Sequence, residues 1–271
     1  MAQYKEAKEH IEITESVDLQ DGYKPLRKFG RGLCAAKQTK TALMTQVTTV
    51  IDVETHTTAN LVDTLSSTAS NTATIGVQGF TVDTSGDLTY VNQDATMNGT
   101  TAVTLTTPLN TVTRMYVKEG TFATPSSDVA TNVYASESTN TGLTAGLPSS
   151  MAYCKAIMPA NVNQTEKCAN CTASNEYAAI TALHLTLSST VANNATGSCD
   201  LDVEIKRKGG VWRPAGTEIG VAAESRHSHA NFNPPIVVPP NSYFRVVGNA
   251  TTTDWVVAGS MEGVIFRTQG T

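Results

Sequence analysis

The sequence predicts an all-β protein, with β-sandwich or jelly-roll-like domains preceded by an extended N-terminal arm. Three observations predict this. Threonine is the commonest of the 271 residues and is spread along most of the chain; it is stiff at its first torsion and fits a pleated surface. Gly, Pro, Asn and Ser recur at short intervals and supply turns. Apolar residues recur at a step of two, not at a helical step.

Residues 1–45 read as a docking arm. Glu6, Glu9, Glu12, Glu15, Asp18 and Asp21 come first, and Lys24, Arg27, Lys28, Arg31, Lys37 and Lys40 follow with no acid between them. Residues 1–40 carry roughly a third of the chain's charges. Ile11, Ile13, Val17 and Leu19 keep the two-residue step of an extended segment. Such an arm cannot bury itself and needs a surface, its own subunit's or a partner's. The six basic residues are the candidate docking groups, and acid followed by base suits one segment complementing another across subunits.

Residues 46–149 read as a small β-region ending in a polar loop. Residues 47–53 favour a strand, and 59–65 admit a short helix. Phe80 and Val82, then Asp83-Thr84-Ser85-Gly86, then Leu88 and Tyr90 spell a hairpin. Asn98-Gly99 is a turn dipeptide. Val103 and Leu105 alternate with threonines up to a break at Pro108, and residues 112–118 follow as a strand. Residues 120–149 are small and polar, with one strand near Val133-Tyr134, as at a loop or domain junction.

Residues 150–271 read as the C-terminal β-sandwich. Leu183, Leu185 and Leu187 alternate with polar residues, as do Leu201, Val203 and Ile205. Gly209-Gly210 suggests a two-residue hairpin loop into Val211-Trp212-Arg213. Pro234 to Pro240 form an edge segment, because proline cannot donate to a central ladder. Residues 243–247, 255–258 and 264–266 are further strands. Gly259-Ser260-Met261-Glu262-Gly263 lacks nucleophile-elbow spacing and reads as a strand with a glycine bulge.

Composition narrows the function. Charged residues are 16%, below the usual share of about 25%. That suits a subunit whose faces are covered by neighbours. A net charge of −5 gives no global pull toward nucleic acid. The opening MAQYKEAKEHIE has no apolar core of a secretory signal, and no stretch approaches a membrane span. No P-loop, GxGxxG or HExxH motif is present, so no cofactor is expected. Two metal hypotheses arise. Cys168 and Cys171 have knuckle spacing, with Cys154 and Cys199 as completing thiols. His227 and His229 point to one face of an extended segment. Buried thiols and a solvated loop are the blander readings of the two.

The run CDLDVEIKRKGGVWRP, then FNPPIVVPPNSYFRVVGNATTTDWVVAGSMEGVIF, resembles virion structural proteins of tailed bacteriophages, as does MNGTTAVTLTTPLNTVTRMYVKEG upstream. The resemblance spans about residues 90–271 and rests on strand order and punctuation. It implies a non-enzymatic β-sandwich subunit of a particle assembled in a host bacterial cytoplasm, with no active-site residues to transfer. The expectation is a cement or decoration protein. It would dock on the major capsid protein or another virion protein through its arm and form a homo-oligomer, most simply a trimer. It would contact no membrane and no specific nucleic acid. The alternatives are a tail or head fibre adhesin, using Trp212, Tyr243 and Trp255 as surface contacts, and a jelly-roll major capsid protein.

Overall fold

Alternating burial builds the architecture, with every second side chain of most long strands turned into one of two cores. The computed structural model describes residues 23–34, 41–42, 61–68, 71–119, 132–137, 142–149, 153–159, 164–189, 198–215, 219–222, 227–250 and 255–267. Among them there is no α-helix. The strands are β1 (Tyr23–Cys34), β2 (Thr41–Ala42), β3 (Val62–Ser67), β4 (Thr74–Val82), β5 (Leu88–Thr96), β6 (Val103–Leu109) and β7 (Thr111–Glu119). Next come β8 (Val133–Ser136), the short pair β9 (Leu143–Thr144) and β10 (Leu147–Pro148), β11 (Cys154–Met158) and β12 (Gln164–Glu166). The chain finishes with β13 (Ala169–Thr172), β14 (Glu176–Ser189), β15 (Ser198–Arg207), β16 (Arg213–Pro214), β17 (Ile219–Ala222), β18 (His227–Val238), β19 (Ser242–Ala250) and β20 (Trp255–Arg267).

Two sandwiches result. The first packs sheet β11-β8-β3-β6 on sheet β12-β7-β4-β5, around Val62, Leu65, Ile75, Val77, Leu109 and Met115. The second packs sheet β1-β20-β14-β18 on sheet β13-β19-β15-β16, to which β17 and β2 attach, around Leu26, Ile180, Leu183, Phe244, Val246 and Met261. A smaller apolar cluster of Phe80 and Leu88 from the first with Cys171 and Tyr243 from the second joins them.

Several boundaries differ from the sequence reading. The first sandwich runs through β12, so the division expected at 149/150 falls inside it. The basic half of the expected arm is not free. Tyr23–Cys34 pairs antiparallel with β20 along its whole length, from Tyr23↔Phe266 to Cys34↔Trp255. Residues 1–22 and 35–40 lie outside the described residues, as does the strand expected at 47–53. Where a short helix was admitted at 59–65, Val62–Ser67 is a strand. It lies between β8 and β6, where both of its faces are covered. The bulge expected in the glycine segment of β20 sits on its partner. The β14–β20 register shifts between Ile180 and Ala182, beside Gly263, and a Cβ on that glycine would stand 2.1 Å from the Ala179 carbonyl oxygen.

Candidate functional site

The chemistry-bearing side chains gather where β1 meets the first sandwich. Along β1, Lys24, Leu26 and Lys28 turn inward and Tyr23, Pro25, Arg27 and Phe29 are exposed. Leu26 anchors the strand in the second core. The two lysines beside it reach acids at the seam. Lys28 Nζ lies 3.2 Å from Glu166 Oε1, with side chains only 11% and 5% exposed. Arg114 Nε is 4.0 Å from the other oxygen of Glu166, and its Nη2 donates to Gln164 Oε1 at 2.7 Å. Lys24 Nζ lies 3.7 Å from Glu176 Oε1, to which Arg267 Nε also donates at 3.2 Å. Lys24 Nζ also stands 5.5 Å above the Tyr90 ring.

These groups border a cleft of about 910 Å³ between the sandwiches. Six consecutive residues of β1, Lys24 to Phe29, form one wall, and Gln78, Phe80, Tyr90, Asn92 and Arg114 of the first sandwich form the other. Among the described residues that line it are the cations Lys24, Arg27, Lys28 and Arg114 and the carboxylates Glu166 and Glu176. Its thiol, Cys171, is buried, and desolvation pushes it well above its ordinary value, so it is no thiolate nucleophile.

A second set of contacts locks the sandwiches at the far end of the β4–β5 hairpin. The hairpin forms as the sequence predicts, with Gly86 N–H donating to Asp83 O and φ of 81° at Gly86. Asp87 Oδ1 then accepts from Lys208 Nζ and from Asn241 Nδ2, each at 2.9 Å. The hydrogen bond from Lys208 holds the Asp87 carboxyl below its ordinary value. Asn241 Oδ1 accepts from Leu88 N–H at 3.0 Å, and Asn241 has φ of 51°. Asn241→Ala therefore loses two cross-sandwich hydrogen bonds and gains left-handed strain. The expected cost is about 2–3 kcal/mol in urea denaturation. Asn241→Gly, which tolerates the backbone angle, separates the two causes; equal losses for both variants would leave no role for strain.

The basic arm residues thus have definite places. Lys24 and Lys28 hold the chain's own acids, Arg27 lies on the exposed face of β1 opposite Glu262, and Arg31 is in β1. Lys37 and Lys40 lie outside the described residues. Of the aromatic residues, Tyr243 is only 7% exposed and packs in the joining cluster, so it offers no surface contact. Trp212 is partly buried beneath the Arg245 guanidinium, 4.0 Å from its ring, and that guanidinium lies 3.0 Å from Glu204. Trp255 opens β20, and its side chain is outside the described set.

The cysteines do not converge. Three residues apart on an extended segment, Cys168 and Cys171 fall on opposite faces, the first in the second core and the second in the joining cluster. Cys154 belongs to the first sandwich and Cys199 to the second core. No group of three or more metal-ligating side chains occurs among the described residues. His227 and His229 do share an exposed face of β18. His229 stacks on His184 with centroids 5.8 Å apart, and His184 Nε2 lies 3.9 Å from Glu262. Sequence reasoning missed His184 and Glu262 because only strand register brings them there.

Burial has a consequence at alkaline pH. Desolvation pushes the Cys154 thiol up to about 12 and raises Cys168 and Cys171 as well. Unfolded thiols ionise near ~8.5, so the unfolded state loses protons first. The stability carried by these three thiols is whole below that pH and falls as pH rises. The slope is up to about 1.4 kcal/mol per pH unit for each thiol. Denaturant midpoints measured from pH 8 to 10.5 should decline, and Cys168→Ala should flatten the decline.

No protein-family model matches the chain, and no curated protein matches it. Solved structures give slight likenesses. One, the structure of the Gx strain of infectious bursal disease virus, aligns with TM-score 0.25 and 11% identity over 95% of this chain and 76% of that one. A D431N mutant VP2 protein of the same virus, in derived T=1 particles, aligns with TM-score 0.25 and 9% identity over 94% and 72%. A VP2 subviral particle of the virus gives TM-score 0.25 and 11% identity over 94% and 74%. Likenesses this slight do not define a shared fold, and the functional reading rests on the chain's own residues.

Proposed function

We propose that this chain is a non-enzymatic structural subunit of a virus particle, held there by association with copies of itself and with a capsid neighbour. The observation that carries the reading is the seam. Its charged residues pair with one another across two rigid sandwiches and brace them, while among the described residues the cleft's thiol, Cys171, is held protonated by burial. The low charge, the threonine-rich strands and the resemblance of residues 90–271 to tailed-phage virion proteins support the same reading. Cement or decoration on a shell is the preferred role. Because Lys24 and Lys28 are engaged by Glu176 and Glu166, docking falls to the exposed sheet faces rather than to a basic arm.

Light scattering on the purified full-length protein tests this. A stable small oligomer, a trimer most simply, that adds to pre-formed shells is expected. Large closed particles formed unaided would make it a shell protein instead. A monomer that adheres to host cells would make it a fibre adhesin.

A further inference from the structure

We propose that His184 and His229 form a two-histidine site for a late first-row divalent metal ion, of the Ni2+, Cu2+ or Zn2+ class. This goes beyond the particle reading and does not depend on it.

A break in strand phase creates the pair. On β14 the side chains turned into the second core are Ala178 and Ile180, then Leu183 and Leu185. Even numbers face inward before the register shift between Ile180 and Ala182, and odd numbers after it. An unbroken two-residue step would send His184 into the core. The bulge turns it out instead, and its side chain is 48% exposed. There the ladder sets it directly opposite His229 of β18, which is also exposed.

Directly opposed residues have Cβ atoms about 4.5–5.5 Å apart. The two imidazoles stack with centroids 5.8 Å apart and planes 12° from parallel. Metal–imidazole bonds of about 2.0–2.1 Å let one ion join rings whose centroids lie about 4.5–6.5 Å apart, so the spacing is already in range. The second torsion of histidine is broad, and a turn about it brings one nitrogen of each ring onto a shared ion. Imidazole suits nickel, copper and zinc. Glu262 Oε2 lies 3.9 Å from His184 Nε2, where a carboxylate can orient the ring and leave its Nδ1 to the ion. Asn231 stands in the same relation to His229, 3.2 Å from its Nε2. His227 shares the face, but residues two apart along a strand stand about 6.6 Å apart, farther than an opposed pair. Its Nδ1 is also bonded to Thr186 Oγ1 at 3.1 Å.

The test is titration of the full chain with Ni2+, read by calorimetry and by the histidine ring signals in NMR. One ion per chain, with broadening of the His184 and His229 signals, is expected. His184→Gln and His229→Gln, both at exposed positions, should each weaken binding by about tenfold or more. His227→Gln should leave the affinity unchanged. Loss with His227→Gln but not with His184→Gln would overturn the proposal in favour of a same-strand pair. Binding that neither His184→Gln nor His229→Gln weakens would be adventitious, and would sink it. So would the absence of binding at millimolar Ni2+.

Discussion

Glu166→Ala should destabilise the protein by about 3–5 kcal/mol, the range for removing one partner of a buried ion pair. Lys28 would keep its charge at a position only 11% exposed, with no carboxylate at 3.2 Å to offset its desolvation. Arg114 would lose the same carboxylate from its Nε. Glu166 stands on β12 of the first sandwich and Lys28 on β1 of the second, so the damage falls on their union. Calorimetry should show one transition for the unsubstituted protein and two for the variant. A double variant, Glu166→Leu with Lys28→Met, should recover most of the loss, because a well-packed apolar pair of similar volume can replace a buried ion pair. A loss below about 1 kcal/mol for Glu166→Ala would mean that water reaches the pair and screens it.

Phe244→Ala should cost about 3–5 kcal/mol as well, for a different reason. Phe244 is fully buried in the second core, on β19, between Asn170 of β13 and Ile205 of β15. Truncation removes apolar contact and leaves a cavity in a sheet held on both sides, which cannot collapse to fill it. Phe244→Leu should lose much less. The denaturation slope should stay near that of the unsubstituted protein for both, since the surface exposed on unfolding hardly changes. A loss under about 1 kcal/mol for the alanine variant would show that the core closes over the gap.

What could be read in advance was local. The two-residue alternation marks β14 and β15, and Asp83 to Gly86 marks its hairpin, because both signals lie within a few residues. Pro108 did not end its strand. β6 runs from Val103 to Leu109 on the edge of its sheet, where a missing donor can face away from the ladder. Gly209-Gly210 does turn the chain, with Gly210 N–H donating to Arg207 O. The hairpin loop is nevertheless longer than two residues, because pairing resumes only at Ile205↔Arg213, after Trp212 has reached the Arg245 guanidinium. The seam was not legible at all. Lys24 and Lys28 read as arm charges because their acids, Glu176 and Glu166, lie far along the chain, and no local pattern encodes that register. Tyr243 failed as a surface contact for the same reason, since the cluster that covers it is drawn from both sandwiches.

The pairing of β1 with β20 joins strands far apart in sequence, with the whole first sandwich between them. During synthesis, the first sandwich can fold once β12 has emerged, but β1 must wait for its partner until β20 has been made. Closing so long a loop is slow, and its cost shrinks if the intervening residues are already compact. The first sandwich therefore acts as a spacer that brings distant strands together. Pulse-labelled amide exchange during refolding should show β3 to β7 protected before β1 and β20; the reverse order would rule the spacer role out.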